Sequence, residues 1–291
     1  MMTSPLQIIR RKQHLRAQVK QWHQERLRVG MVPTMGALHH GHISLIKEIQ
    51  KHVDKVVVSI FVNPKQFGPN EDFDKYPRQE AEDAKKLAEA ETDLLYAPDV
   101  TEIYPDGFLT NVTVTKITEG LCAAKRPGHF DGVTTVVTKL LLQCLPDVAL
   151  FGEKDFQQYT VLKQLANDLD IPTEVMCGKL IRDEDGLATS SRNVYLTPQE
   201  REIALKIPKV LQQILTEIAE GILPLQHCLD KGKKYLMDCG FREVQYLEVR
   251  KSRNLEPVTH VITESSRVLV AAVIGNVRLI DNMPIPMQEI D

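Results

Sequence analysis

Aromatic residues are scarce in this 291-residue chain, at 5% with a single tryptophan. An excess of one charge is missing too: 36 lysines and arginines stand against 39 aspartates and glutamates, a net charge of −3. Together these exclude the basic, aromatic-studded stripe of a nucleic-acid-binding surface, while leaving room for a local basic pocket that takes a small anion. No apolar run approaches the roughly 18 residues of a membrane span. The longest, Val268 to Gly275, has the composition of a buried strand. The cysteines (Cys122, Cys144, Cys177, Cys228, Cys239) are odd in number and widely spaced, and no two form a Cys-x-x-Cys pair. That excludes a zinc framework and a disulfide scaffold and fits free thiols in a reducing compartment. Internal repeats and low-complexity tracts are absent as well.

What is present is an ordinary globular composition, 43% hydrophobic and 26% charged, over a length that suits about two domains of roughly 150 residues. From Met1 to Gln24 no acidic residue occurs, and Arg10, Arg11, Lys12, Arg16 and Lys20 are basic. Transit peptides share that bias, but a basic, solvated first helix accounts for it, and the expected location is cytoplasmic.

Up to about Arg182 strands and helices alternate. Arg28–Pro33 and Lys55–Val62 are apolar strands, the second β-branched and continuous as in a sheet covered on both faces. Ile43, Ile46, Ile49 and Val53 recur at helical spacing between them. A charged, alanine-rich surface helix over 78–91, a strand at Leu94–Ala97, an apolar helix over 133–144, a strand at Val148–Phe151, a helix over 156–169 and a strand at Thr173–Cys177 follow. This is the grammar of an α/β fold, a Rossmann-like doubly wound parallel sheet. Beyond Arg182 it changes. Thr197-Pro198, with Glu200 three residues on, starts a helix running to about Glu220. A second helix spans about 225–239, and strands lie near 241–249 and 266–274. The expectation is a catalytic domain over 1–182 and a smaller C-terminal α+β domain over 183–291.

Four polar clusters sit where strands end. The densest, from Pro33 to His42 (PTMGALHHGH), joins the first strand to the first helix of the sheet. Ligands of open α/β sheets bind at such strand ends. Gly36 permits a tight turn, and Gly41 lets an anion approach the helix start, where free N–H groups attract it. His39 and His42, three apart, point the same way and could donate hydrogen bonds as charge develops on a phosphate. The same His-x-x-His pair could be structural or could bind a metal, although no third ligand follows nearby. The second cluster, Asn63 to Gly68, offers Asn63 and Gln66 as paired donors and acceptors for a ligand with hydroxyls and a carboxylate. The third, Gly152 to Gln158, has Lys154 as a compact charge for phosphate and Asp155, which could hold magnesium or cap the helix. The fourth, Arg182 to Asn193, sets Ser190, Ser191 and Arg192 together as a hydroxyl-plus-guanidinium anion site. Arg126 adds a further cation. The four converge on a nucleoside triphosphate, and the missing Gly-x-x-x-x-Gly-Lys-Ser/Thr excludes a P-loop enzyme.

At these residues the chain resembles the pantoate–β-alanine ligases, the pantothenate synthetases. The matching stretches are PTMGALHHGH (33–42), SIFVNPKQFGPNEDFDKYPR (59–78), RPGHFDGV (126–133), FGEKDFQQ (151–158) and RDEDGLATSSRNVYL (182–196). The resemblance also extends to the wider nucleotidyltransferases with a His-x-Gly-His signature. It implies a reaction in which ATP, pantoate and β-alanine give pantothenate, AMP and pyrophosphate with Mg2+, through a pantoyl adenylate. By the same resemblance His42 is the proton donor, with His39 beside it on the triphosphate. Met35, Gly36, Ala37, Leu38, His39, His40, Gly41 and His42 line ATP. Gly152, Glu153, Lys154 and Asp155 also contact ATP, Lys154 on phosphate and Asp155 at the metal, and Ile181 makes an adenine-side backbone contact. Thr189, Ser190, Ser191 and Arg192 form a mobile phosphate-binding segment, with Ser190 and Arg192 among the catalytic groups. Gln66 is the glutamine shared by pantoate and β-alanine and Gln158 the second one that binds pantoate, with Asn63, Tyr76 and Arg126 in support. The family's usual methionine before Ser-Ser-Arg is Thr189 here, so any role for that methionine's side chain is lost. Homodimers through the catalytic domain are also implied. A rival within the superfamily, an enzyme that joins an adenylyl group to a phosphate ester, would need a second phosphate site where Gln66 and Gln158 stand. Two neutral amides suit a small hydroxy acid better. A nucleotide-binding protein without turnover is disfavoured by the presence of both His42 and Lys154.

Overall fold

The computed structural model describes residues 6–69, 71–221, 223–260 and 262–286. Residues 1–5, at the head of the basic N-terminal stretch, and Asn70, within the second motif, lie outside the described residues. The chain runs β1 (Gln7–Ile9), α1 (Lys12–Gln24), β2 (Val29–Thr34), α2 (His40–Ile49), β3 (Lys55–Ile60), α3 (Glu80–Glu89), β4 (Leu94–Tyr96), α4 (Val100–Ile103), α5 (Leu121–Lys125), α6 (His129–Cys144), β5 (Val148–Gly152), α7 (Phe156–Asp168) and β6 (Glu174–Gly178). It continues through α8 (Pro198–Ala204), α9 (Lys206–Glu220), α10 (Leu225–Asp238), β7 (Glu243–Lys251), β8 (Ser266–Ile274) and β9 (Val277–Ile285).

The first six strands form one sheet in the order β1-β4-β3-β2-β5-β6, parallel at every pairing. Its central strands are buried on both faces, as their unbroken apolar sequences require. The order reverses between β2 and β5, which pair at Gly30–Val148 and Met31–Ala149. The loops leaving their carboxyl ends, 35–39 and 153–155, therefore open on one crevice, the position at which doubly wound sheets bind ligands. Helix α6 is buried along nearly its whole length. Helix α1 is not wholly solvated: Leu15, Val19 and Trp22 form a buried stripe under its basic face.

The last three strands make an antiparallel sheet, β7-β8-β9. Every residue of central β8 is buried, and Pro284 is confined to edge strand β9, where the lost N–H costs no ladder bond. Helix α8 starts with the expected reciprocal cap: Glu200 N donates to Thr197 Oγ1 (3.2 Å) and Thr197 N to Glu200 Oε2 (2.9 Å). Tyr246, Leu255, Leu269 and Ala271 join the apolar core on one face of the parallel sheet, so the two sheets share buried surface. None of the helices among the described residues is long and apolar enough to cross a membrane.

Candidate active site

A cavity of about 230 Å3 opens at the β2–β5 crevice. The loops after β2 and β5, the turn after β3, helix α6 and the 179–192 segment all line it.

Pro33, Thr34, Met35, His39, Gly41 and His42 bring the first motif into the lining. His39 N donates to His42 Nδ1 (3.3 Å), which places the proton of a neutral His42 on Nε2. The two rings lie 4.0 Å apart between centroids. A Cβ on Gly41 would stand 3.0 Å from the His39 ring, so glycine is what lets that ring fold over the first turn of α2. Burial and the nearby Lys154 ammonium push the His39 pKa down to about 4. Burial, then His39 and Lys154, hold His42 well below the usual histidine range. Both imidazoles are therefore neutral at pH 7 and act as hydrogen-bond groups rather than cations. Gly36, Ala37 and Leu38 do not line the cavity. Their turn is pinned instead by α3: buried Asp83 accepts from Ala37 N and Leu38 N (both 2.8 Å), and Lys86 Nζ donates to Leu38 O (2.7 Å). His40 also points away, towards Thr189 and Asp183. At these four positions the contacts shown lie within the protein.

The turn after β3 brings Gln66 to the wall. Asn63, expected beside it, is fully buried and its amide is used up inside the protein. Its Nδ2 donates to Gln66 Oε1 and Gly132 O (both 3.0 Å), and its Oδ1 accepts from Lys65 N (3.2 Å) and Tyr104 OH (2.9 Å). Asn63 thus orients Gln66 and does not face the cavity. Gln66 Nε2 reaches Met35 Sδ (3.2 Å), linking the first two motifs. Val133, Val136, Val137 and Leu140 of α6, with Phe61, supply an apolar wall that the motif reading missed. Its sequence signal was a helix apolar on nearly every face.

Tyr76, Arg126, Gln158, Ile181, Ser190, Ser191 and Arg192 also line the cavity, with Gly152, Glu153, Lys154, Asp155 and Thr189. Glu153 has a structural carboxylate that accepts from Leu180 N (2.9 Å) and Arg267 Nη2 (2.7 Å). Arg126 and Arg192 are each gripped by two-point contacts from consecutive acids, Glu71 and Asp72. Lys154 Nζ pairs with Asp155 Oδ2 at 3.1 Å. Burial alone would raise the Asp155 pKa, but Lys154, then Arg192 and His129, bring it below the usual carboxylate range. No three His, Cys, Asp or Glu side chains among the described residues cluster as a metal cage.

His129, at the start of α6 and within the RPGHFDGV stretch, is a residue to which the sequence assigned no role of its own. Its Nδ1 is 2.8 Å from Gln66 O and its Nε2 2.9 Å from Arg126 Nη1. Arginine can only donate, so Nε2 accepts and the proton sits on Nδ1. Burial, then Arg126, push the His129 pKa down to about 4. The unfolded chain protonates this residue near 6.5, so stability should fall as pH drops from about 6.5 and level off below about 4. The part due to His129 is about 2 kcal/mol between pH 7 and pH 5. His129→Gln should shrink the fall in melting temperature over that interval, and an unchanged fall would refute the assignment.

The sequence pattern that defines the family described as Pantoate-beta-alanine ligase matches residues 7–284. The chain belongs to that family. Among pantoate–β-alanine ligase relatives, the pantothenate synthetase of Paramagnetospirillum magneticum is 51% identical over 97% of this chain and 99% of its own. That of Rhodospirillum rubrum is 51% identical over 96% and 98%. The pantothenate synthetase structure from Thermus thermophilus superposes with a TM-score of 0.90 at 40% identity, covering 97% of this chain and all of that one. A Francisella tularensis pantoate-β-alanine ligase structure, described as complexed with beta-gamma ATP and β-alanine, gives 0.82 at 36% identity over 97% and 99%.

Proposed function

We propose that this ligase uses ATP to activate pantoate and then joins it to β-alanine within the β2–β5 cavity. One observation carries the reading: a single cavity combines neutral His39 and His42 and the Lys154 ammonium with the amides of Gln66 and Gln158 and an apolar wall from α6. The first set suits a triphosphate. The second suits a small branched hydroxy acid, whose methyl groups meet valines while its hydroxyls and carboxylate meet amides. The Francisella tularensis ligase structure, described as complexed with beta-gamma ATP and β-alanine, adds support.

In the first step an oxygen of the pantoate carboxylate bonds to the α-phosphorus of ATP, the bond to the bridging oxygen breaks, and pyrophosphate leaves with the electron pair. In the second the β-alanine nitrogen bonds to the acyl carbon, the acyl–oxygen bond breaks, AMP departs and the nitrogen loses a proton. No protein nucleophile is needed, and the residues work by positioning and by meeting developing charge. His42 Nε2–H and Lys154 face the phosphates, and Ser190 to Arg192 close over them. Arg192 of that segment and Arg126 on the pantoate side stay held by Asp72 and Glu71. Asp155, a lone ionised carboxylate beside this set, fits the habit of Mg2+, which binds through one or two carboxylates plus substrate phosphates. The ion would supply charge neutralisation for the leaving pyrophosphate. Residues 1–182 carry the reacting groups, and 183–291 form the cover that keeps water from the mixed anhydride. A cytoplasmic homodimer rests on the family resemblance, and light scattering at twice the 33.0 kDa of one chain would support the dimer.

The test mixes purified protein with magnesium, ATP and pantoate, with and without β-alanine, and follows pyrophosphate and AMP separately. Stoichiometric pyrophosphate without β-alanine, and sustained AMP release only with it, are expected. Protein that binds ATP yet releases no pyrophosphate in either mixture would overturn the reading.

A further inference from the structure

We propose that His40 and Thr189 are positioning residues, a catch that sets the Ser190–Arg192 segment against the phosphate-facing end of α2. The inference rests on the proposed ATP site. Thr189 Oγ1 lies 2.6 Å from Asp183 Oδ1 and 2.8 Å from His40 Nε2. A hydroxyl has one proton to give. Burial would raise the Asp183 pKa, but hydrogen bonds from Thr189, Arg201 and Asn193 keep it below the usual carboxylate range. The ionised carboxylate can only accept. The Thr189 proton therefore goes to Asp183, and its lone pair accepts from His40 Nε2–H. His40 Nε2–H thus donates to Thr189, with Asp183 Oδ1 itself 3.3 Å from the same nitrogen, and Thr189 donates on to Asp183.

The place of this hydrogen-bond chain gives it a consequence. His40 sits between the cavity-lining His39 and Gly41, and Thr189, itself in the lining, directly precedes Ser190, so the bond joins the two sides of the cavity. It spans 149 positions of sequence. The Thr189 methyl rests over Gly41, 3.6 Å from where a Cβ there would lie. The far end is braced, because Asp183 also accepts from Arg201 Nη2 (2.8 Å) and Asn193 Nδ2 (3.2 Å), and Thr189 N donates to Ile181 O (3.0 Å). The His40 ring itself is 59% exposed and lies outside the cavity lining, so neither the core nor direct ligand contact accounts for it.

Full-length Thr189→Val, His40→Ala and the double variant test the catch, with Thr189→Ser as the conservative control. Binding of a non-hydrolysable ATP analogue is read by calorimetry, and the KM for ATP and kcat by pyrophosphate release. Each single variant should weaken analogue binding and raise KM about three- to tenfold, the scale of one hydrogen bond, with a smaller change in kcat. The double variant should be no worse than the poorer single, and Thr189→Ser should resemble wild type. Multiplying effects in the double variant, equal damage from serine and valine, or unchanged binding would each overturn the catch. Wild-type protein that binds the analogue but releases no pyrophosphate would refute the proposed reaction while the binding arm still judges the catch. Wild-type protein that does not bind the analogue would overturn both.

Discussion

The Lys154→Ala protein should form pantoyl adenylate roughly 10²–10³-fold more slowly than wild type, the effect of removing one donor that meets transition-state charge. The reason lies in how the cavity distributes its cations. Arg126 and Arg192 are each held at two points by a carboxylate, Glu71 and Asp72 respectively. Lys179 is exposed at the rim. His39 and His42 are neutral, because burial and Lys154 itself hold their pKa values down. Among the described residues the ion pair of Lys154 is a single contact with the neighbouring Asp155, so its charge is the one most readily turned to a phosphate. Its loss should also ease protonation of His39, since the ammonium is one of the two main causes of the low pKa there. Arginine should restore little, because a planar fork does not replace a compact ammonium. Single-turnover pyrophosphate release without β-alanine is the measurement, and a rate within threefold of wild type would remove Lys154 from the mechanism.

The second large effect should come from a residue with no side chain. A Cβ added to Gly132 would stand 2.2 Å from Lys65 O, 2.4 Å from Lys65 C and 2.6 Å from Gln66 N. These are backbone atoms and cannot swing aside. Asn63, which orients Gln66, also hangs on Gly132 O. Gly132→Ala must therefore push the turn and α6 apart and carry the Gln66 amide with them. A misplacement of about 1 Å can cost 10²-fold in rate, and overpacking costs about 1–3 kcal/mol of stability. We expect kcat/KM for pantoate to fall at least about 10²-fold in protein that still melts cooperatively. Pantoate titrations run well below the melting temperature would show it, and near-normal kcat/KM would mean that the turn is more pliable than its packing indicates.

Strand and helix alternation carried the parallel sheet because β-branched runs and 3.6-residue spacings are local signals. Strand β1 escaped notice because three residues, two of them exposed, leave no pattern. Strand β9 did so because Asp281 and Asn282 interrupt its apolar run, both buried and both bonded across to other elements. At the site, sequence identified which side chains could bond but not where they point. Asn63 and Gln66 are equivalent on paper; in the fold one serves the turn and the other faces the cavity. Asp83 belonged to a helix that looks like ordinary surface, yet it pins the turn that carries the histidines. Gly132 and the α6 wall acquire meaning only once α6 lies against the turn after β3.

Asn282 Nδ2 holds two successive carbonyls, Glu153 O at 2.9 Å and Lys154 O at 3.1 Å, while Arg267 binds both Asn282 Oδ1 and the Glu153 carboxylate. The backbone that carries Lys154 is thus held from β9. Chains fold as they emerge from the ribosome, N-terminal parts first. The parallel sheet can form while the chain is still being made, but the turn beneath Lys154 gains this support only after residue 282 has left the exit tunnel. A growing or prematurely stopped chain would carry every histidine of the first motif and still hold its principal cation loosely, so adenylation becomes a property of the finished protein.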